Sequence, residues 1–529
     1  MKSASWSPSG ERRSLPGPEL LTVDGSTADR HLAAEIVRFT RSTTRRYKRS
    51  RVSLSERFVD AYSWGLGIAV SLTIAASFVL ALRNEIADRS SAGSSIIGEQ
   101  WLVLPESVLW TTVTYAFLLI VANLARKLGP VTVGGPESTW WLSLPIDRRP
   151  MVLPPFLRKV VLTAAGLAVV FLPFSMVTAV DRTPIGHLLA SVTFAAAGVI
   201  AVALAAFQQL GMVRPRLGRA MTMVVLLACA VLPALPESPW PAALAGATAV
   251  VLLVLAGPRT GEVRSEELIR GGAVAGHAGA SLFMMDSNEV LRALGAGRKT
   301  VDGGRAAGFF SRPAGGPLRA LIRADVVAFL RLNPPLLPSL LWLVACVAML
   351  LVEGGLPEFA QLGIIVIAGC ATASGMGGVA RKAALVPELD ALLPLHPALV
   401  RSSRALMPCL AMAVWMAALS GLLVLLGASD PALIAVGALA GIGMGAGSLR
   451  SATKAAPDWS APPVDTPFGP VPRAQLGSLM RGLDVTILAM VPLLVGLYLG
   501  YTPWAVGMVQ ALFSAGIVLL SVLSKPRKA

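Results

Sequence analysis

Twelve long apolar runs constrain this chain more than any other feature. They are Ala61–Leu82, Val108–Ala125, Val160–Val180, Gly186–Leu210, Ala220–Leu235 and Trp240–Ala256, then, after a polar interval, Leu336–Val352, Phe359–Val379, Leu406–Leu426, Ala432–Ala446, Val485–Leu499 and Trp504–Leu523. Inside hydrocarbon a backbone N–H or C=O finds no water. Each run must therefore satisfy its hydrogen bonds within itself, as a helix of about 20 residues. The fifth, tenth and eleventh runs are short, with Gly or Pro at their edges. Only 14% of the 529 residues are charged and 54% are hydrophobic, against about 25% charged in a soluble domain. This excludes a soluble enzyme, a disordered protein and a nucleic-acid binder built on a polar scaffold. The net charge of +16 then points to anionic lipid headgroups, with no nucleic acid implied. The fold class expected is an all-α polytopic membrane protein.

Charge fixes an expected orientation. If the N-terminus is cytoplasmic, all but three of the 46 Lys and Arg residues fall on cytoplasmic segments, the exceptions being Arg83, Arg89 and Arg182. Shifting the count by one span would scramble that separation, so the positive-inside rule predicts both termini in the cytoplasm and an even number of spans. Residues 1–60 hold no apolar stretch long enough for a signal-peptide core.

The spans carry almost no chemistry. Asp60, Asp181, Glu353 and Asp430 sit at span edges, where solvation at the interface accounts for them. An ion-coupled carrier would want a carboxylate or histidine near the midplane. Cys229, Cys346, Cys370 and Cys409 lie singly in apolar runs and read as small hydrophobes. The four histidines (31, 187, 277 and 396) show no metal-ligand spacing, so neither metal nor cofactor is expected. Gly295-Ala296-Gly297-Arg298-Lys299-Thr300 has the look of a phosphate-binding loop, but Arg298 interrupts it and no strand precedes it. Leu282-Phe283-Met284-Met285-Asp286 reads as the apolar face of a helix rather than a metal-binding strand end. Gly437, Gly441 and Gly445 recur every fourth residue, a stripe that lets helices approach closely; Gly369, Ala373 and Gly377 repeat it.

The two groups of six runs share an order of features. Ala125-Arg126-Lys127 and Ala380-Arg381-Lys382 close the second and eighth runs. Each is followed by an acid (Glu137, Glu388) and then by Leu-Pro (Leu144-Pro145, Leu393-Pro394). Basic residues come next, Arg148 and Arg149 in the first copy, Arg401 and Arg404 in the second, where His396 follows the proline. Each group also opens on a basic amphipathic segment: Ile36, Val37 and Phe39 among seven cations, and Leu318, Leu321, Ile322, Val326, Phe329 and Leu330 opposite Arg319, Arg323 and Arg331. Such helices lie in the headgroup layer. Two parallel six-helix repeats follow, because an even number of spans per unit preserves direction.

This layout resembles the permease subunit of ABC-2-type exporters, in which a Leu-Leu-x-Leu-Pro-[Ile/Val]-[Ser/Asp]-Arg-Arg stretch follows the second span. Here it stands as Trp141-Leu142-Ser143-Leu144-Pro145-Ile146-Asp147-Arg148-Arg149. The second copy, Leu392-Leu393-Pro394-Leu395-His396-Pro397, departs from it at Asp-Arg-Arg. The resemblance spans nearly the whole chain as two fused half-permeases, and it extends to permease-like families of high-GC bacteria, which implies the bacterial plasma membrane. It further implies a loop that docks on a separate cytosolic ABC ATPase, through Arg126, Lys127, Glu137, Leu144, Pro145, Asp147, Arg148 and Arg149 and, in the second half, Arg381, Lys382, Glu388, Pro394, His396 and Arg401. Proline would set such a loop at an angle, and arginines suit bidentate contact with carboxylates. An ordinary positively charged turn remains the plain reading of the same residues.

The expected organisation is a basic cytoplasmic tail (1–60, disordered to about residue 30), a first membrane half (61–256), a cytoplasmic linker (257–333), a second membrane half (334–523) and a short tail (524–529). Within the linker, helices are expected at Glu262–Ile269 and Ala280–Leu294, and Gly295–Gly316 reads as flexible. The function expected is a non-enzymatic permease subunit of an ATP-driven exporter, with an amphipathic or lipid-like substrate. The rival is a scaffold that assembles partners through its basic loops.

Overall fold

The computed structural model describes residues 25–51, isolated positions between 55 and 84, Ile96, and residues 105–144, 146–179, 182–212, 214–235, 238–284, 287–295, 315–332, 336–351, 358–453, 460, 462–466, 469–471 and 483–523. Several expectations fall outside these residues: the first span for the most part, the disordered start, Pro145, Asp181, Glu353, most of the 295–316 stretch and the terminal tail.

The first group of helices comprises α1 (Gly25–Arg51), α2 (Glu106–Leu128), α3 (Pro136–Trp140), α4 (Arg149–Thr178), α5 (Pro184–Gln209), α6 (Pro215–Val231) and α7 (Trp240–Ala256). Next come α8 (Ser265–Phe283), α9 (Ser287–Gly295) and α10 (Pro317–Leu332). The second group is α11 (Leu336–Leu350), α12 (Glu358–Met376), α13 (Gly378–Ala383), α14 (Pro387–Ala391), α15 (Pro397–Leu425), α16 (Ala432–Thr453), α17 (Leu483–Leu499) and α18 (Trp504–Leu523). One small antiparallel hairpin, β1 (Val464–Thr466) with β2 (Gly469–Val471), interrupts the loop after α16. Among the described residues nine helices are long and apolar enough to cross a membrane, and Pro338–Leu350 and Asp484–Leu499 are apolar but shorter. The protein is thus a helical, multi-pass membrane protein, with one short hairpin among the described residues. The fifth and tenth runs, read as short, are full-length helices. α6 gains a polar first turn from Pro215 to Arg219, and α16 runs on through Arg450 to Thr453.

Two helices hold the packing together. α5 and α16 have 72% and 67% of their apolar windows buried, against 17–44% for the other seven. α5 packs on α2, α4, α6 and α7; α16 packs on α12, α15, α17 and α18. Both can be surrounded because their side chains are small. In α5 Ala197, Gly198, Ala201, Ala203, Ala205 and Ala206 are all buried. In lipid no hydrophobic drive separates helix from tail, so close van der Waals approach must supply the association. The glycine stripe of α16 shows the approach most directly. A Cβ at Gly441 would lie 2.6 Å from the Met412 carbonyl carbon and 2.7 Å from Ala413 Cα, and one at Gly445 2.5 Å from Pro408 O. The stripe therefore lies within the second group, against α15. Gly443 and Gly447 face the other way, toward Ala489, Ser514 and Thr486 of α17 and α18.

Two cores result, one around Trp110, Phe156, Phe171 and Ile200, the other around Ile365, Met412, Met416 and Met444. In the first, Phe171 stacks on Phe194 at 4.3 Å and meets Trp110 edge-on at 5.6 Å. The groups meet where Leu109 and Val113 of α2 pack against Ala348 of α11. At a second junction, the Ile96 N–H donates to Gln361 Oε1 of α12 at 3.2 Å.

The linker differs from its sequence reading. α8 runs unbroken from Ser265 through Gly271 and Gly272 to Phe283, where two separate helices at Glu262–Ile269 and Ala280–Leu294 were expected. Both glycines are contact residues: an added Cβ would lie 2.8 Å from Leu128 O and 2.9 Å from Gly134 Cα respectively. Val263 and Leu268 join the first core, so this part of the linker packs as an extension of the first group.

Gly441→Ala should lower the detergent thermal midpoint, because the overpacked contact costs about 1–3 kcal/mol. Gly363→Ala in α12, where no heavy atom lies within 4 Å of the new Cβ, should leave the midpoint unchanged.

Candidate functional site

The basic helix ends collect on one face of the bundle. The C-terminal ends of α2 and α5, the start of α6 and the first half of α8 line a common cavity there, and the starts of α4 and α15 lie on the same side. Short loops between antiparallel spans impose this arrangement.

The loop between α2 and α4 contains the first set of residues singled out by sequence. Gly135 has φ +61°, a left-handed turn that glycine adopts without strain. Pro136 then starts α3, where its missing N–H costs nothing. The short helix therefore precedes the Leu-Pro element, and Arg149 opens the long α4 directly after it. Glu137 is exposed and Trp140 is 73% exposed. Leu144 is exposed, and Pro145 lies outside the described residues. Asp147 accepts from the Arg149 N–H at 2.9 Å and pairs with Arg30 Nε of α1 at 2.8 Å. Arg148 donates to Ser265 Oγ at 2.8 Å, at the start of α8. Asp147 and Arg148 thus tie α1, α4 and α8 together, while Glu137, Trp140 and Leu144 face outward.

The second set has a related shape. Pro387 starts α14, and Pro397 enters α15 behind an Nδ1 cap from His396 to the Ala398 N–H at 3.3 Å. Glu388 is exposed, Pro394 is exposed, and Leu389 and Leu392 are 62% and 79% exposed. Arg401 donates to Val522 O at 3.1 Å, closing α15 on the end of α18. Arg404 makes a two-pronged ion pair with Asp390. Arg381 is buried and donates to Ser374 O at 3.1 Å. Burial pulls its guanidinium down to about 10, with Arg292 adding to the shift and Glu289 opposing it. Lys382 beside it is exposed.

Arg126 and Lys127 belong to a different structure, a cavity of about 210 Å³ lined also by Gln208, Gln209, Arg219, Glu267 and Arg270. Gln209 clamps the loop after α2, accepting from the Val131 N–H at 3.2 Å and donating to its carbonyl at 2.8 Å. Gln208 donates to Gly218 O at 3.0 Å and Thr222 Oγ1 at 2.8 Å, holding the start of α6. Sequence reading missed Arg219, Arg270 and the two glutamines, which lie about 80 to 140 residues from Arg126 in the chain. Two adjacent amides at the end of an apolar run were the one available signal.

Asp325 of α10 is nearly buried and accepts from Ser403 Oγ at 2.6 Å. Burial pushes its carboxyl above the ordinary 3.8; Ser403 and Arg404 oppose that, and Asp390 adds to it. A raised native pKa means the folded state holds its proton where the unfolded state has released it. Stability then falls as pH rises upward from about 3.8. Detergent thermal midpoints should show this decline, and Asp325→Asn should remove that component of it.

Residues 104–462 match the model of a family of unknown function (DUF6297), a stretch that runs from α2 past α16 and takes in both five-residue helices. No curated protein and no solved structure matches the chain. With more than half of its length inside that match, the chain belongs to the DUF6297 family.

Proposed function

We propose that this chain is the membrane-spanning subunit of an ATP-driven exporter, moving an amphipathic or lipid-like substrate and coupled to a separate cytosolic ABC ATPase at its basic face. It carries out no chemistry of its own. The observation that carries the reading is the pair of five-residue helices, each begun by Pro-Glu and each presenting large apolar side chains: Trp140 by α3, and Leu389 and Leu392 by α14. Apolar surface on loops outside the spans is costly unless a partner covers it. Asp147 and Arg148 then act as internal braces that tie α1 and α8 to the start of α4, so that force on the loop reaches a span.

The finer architecture belongs to the same proposal. Nine long helices, the two shorter apolar ones and the run 61–82 make twelve spans in two parallel repeats, with both termini cytoplasmic in a bacterial plasma membrane. Matching neighbours support the repeat. α5 and α16 hold the same position among their partners, α1 packs on α4 as α10 packs on α15, and α2 meets α6 as α12 meets α17. The junctions also pair, since α2 touches α11 while Ile96, just beyond the first run, touches α12. Reciprocal contacts of that kind are what a two-fold relation demands.

Affinity purification in mild detergent from the native host should recover an ATPase bearing a phosphate-binding loop. Trp140→Glu and Leu392→Glu should each reduce its recovery about tenfold, since both place a charge in an apolar contact, with no change in thermal midpoint. Arg148→Glu is a poorer probe because it also breaks the bond to Ser265. Failure to recover any ATPase would leave the scaffold reading in front. Cysteines introduced near Ser3 and Ala529 should react with impermeant maleimide only in opened cells; labelling of either in intact cells would overturn the sidedness.

A further inference from the structure

We infer that the open cavity between α2, α5, α6 and α8 is a binding site for a phosphate-bearing anion. Four cations converge on it: Arg126 and Lys127 from the last turn of α2, Arg219 from α6 and Arg270 from α8. Glu267 is the one carboxylate in the lining, and it already stands 3.7 Å from Arg270. Among the described residues no carboxylate lies within ion-pair distance of Arg126, Lys127 or Arg219. Arg126 and Arg219 are instead close enough to repel one another.

Retention of loops on one side of a membrane needs only positive charge in water. It does not require cations from three helices to converge on one shared cavity. Here that convergence is built. Gln209 pins the 129–131 turn and Gln208 pins the start of α6. Gly271 and Gly272 let α8 come within backbone distance of that turn. The Ala-Arg-Lys of the second group has a different fate. Arg381 is buried, bonded to Ser374 O and beside Glu289, so the motif alone does not produce a cationic cavity.

The start of α6 adds to the case. Arg214, Arg216 and Arg219 crowd a helix N-terminus that carries no acidic residue in its first turn. Cations there oppose the helix dipole, whereas an anion would be favoured by both the dipole and the arginines. Guanidinium forks match tetrahedral oxyanions bidentately, and an ammonium adds a point charge. A volume of about 210 Å³ is below the roughly 300–1,000 Å³ of pockets for drug-sized ligands. It suits a single phosphate group or phosphoglycerol headgroup. The source is either a free phosphate compound or an anionic phospholipid whose acyl chains stay in the bilayer. The site is separate from the outward-facing docking residues, so it stands or falls independently of them.

The test uses the full chain in a neutral detergent at constant ionic strength. Thermal midpoints and calorimetric titrations are followed with inorganic phosphate, glycerol 3-phosphate, short-chain phosphatidylglycerol, short-chain phosphatidylcholine and a chloride control. Saturable binding of phosphate or glycerol 3-phosphate, weakened about tenfold or more by Lys127→Gln and Arg219→Gln and unaffected by Arg45→Gln on exposed α1, supports a free phosphate ligand. Binding confined to phosphatidylglycerol, with the same dependence on the variants, supports a lipid headgroup. Protection matched by chloride or phosphatidylcholine, or unchanged in both cavity variants, overturns the inference. If either variant does not fold, absence of saturable heat with every phosphate probe on the unmodified chain overturns it equally.

Discussion

The close approach of helices through small side chains is the constraint on which the rest of the structure depends. Water drives helices together in a soluble core, but hydrocarbon provides no such force, and contact between backbones must replace it. α5 and α16 meet that demand with alanine and glycine on nearly every face. Each can therefore be ringed by four neighbours. Most of the larger core side chains come from the surrounding helices, where Trp110 and Phe171 or Met412 and Met416 fill the space left by the small ones, joined by Phe194 of α5 and Met444 of α16. The glycines in α8 extend the same device outside the spans, bringing a surface helix onto the loop after α2.

That docking organises the polar face. Once α8 lies on the end of α2, Ser265 is in place to receive Arg148, and Arg270 joins Arg126 and Lys127 around one cavity. α1 is fastened by Arg30 to Asp147. In the second group, Asp390, Arg404, Ser403 and Asp325 link α14, α15 and α10. The opposite face is held more simply. Asp430 accepts from the backbone and side chain of Thr502, and Arg182 covers the Trp110 ring at 4.4 Å and donates to Pro233 O at 2.9 Å. Cations that a charge tally treats alike thus divide into braces, a buried donor and an open cluster.

The docking proposal and the anion-site proposal divide the basic face between them. Trp140, Leu389 and Leu392 offer apolar area on short helices, the kind of surface a protein partner covers. The cavity offers concentrated positive charge behind two glutamine clamps, the kind of space an oxyanion fills. A phosphate group there would neutralise α2, α6 and α8 against one another.

The sequence by itself determined the fold class, because apolar runs of spanning length leave the backbone no alternative to helix in lipid. It also located the small-residue stripe of α16, since Gly periodicity acts through local geometry, whereas α4 and α15 begin at Arg149 and Pro397, well before the apolar runs at Val160 and Leu406 that marked them. Helix lengths at the polar edges were less legible. α6 and α8 continue through polar and glycine residues, because loss of hydropathy marks the edge of an apolar run and not the end of a helix, and arginine is itself a good helix former. Which face the glycines of α16 serve, and that α8 packs back on the first group, were decided by the tertiary structure alone. So was the candidate site. Arg126, Gln208, Arg219 and Arg270 lie far apart in the chain, and only helix packing sets them around one space.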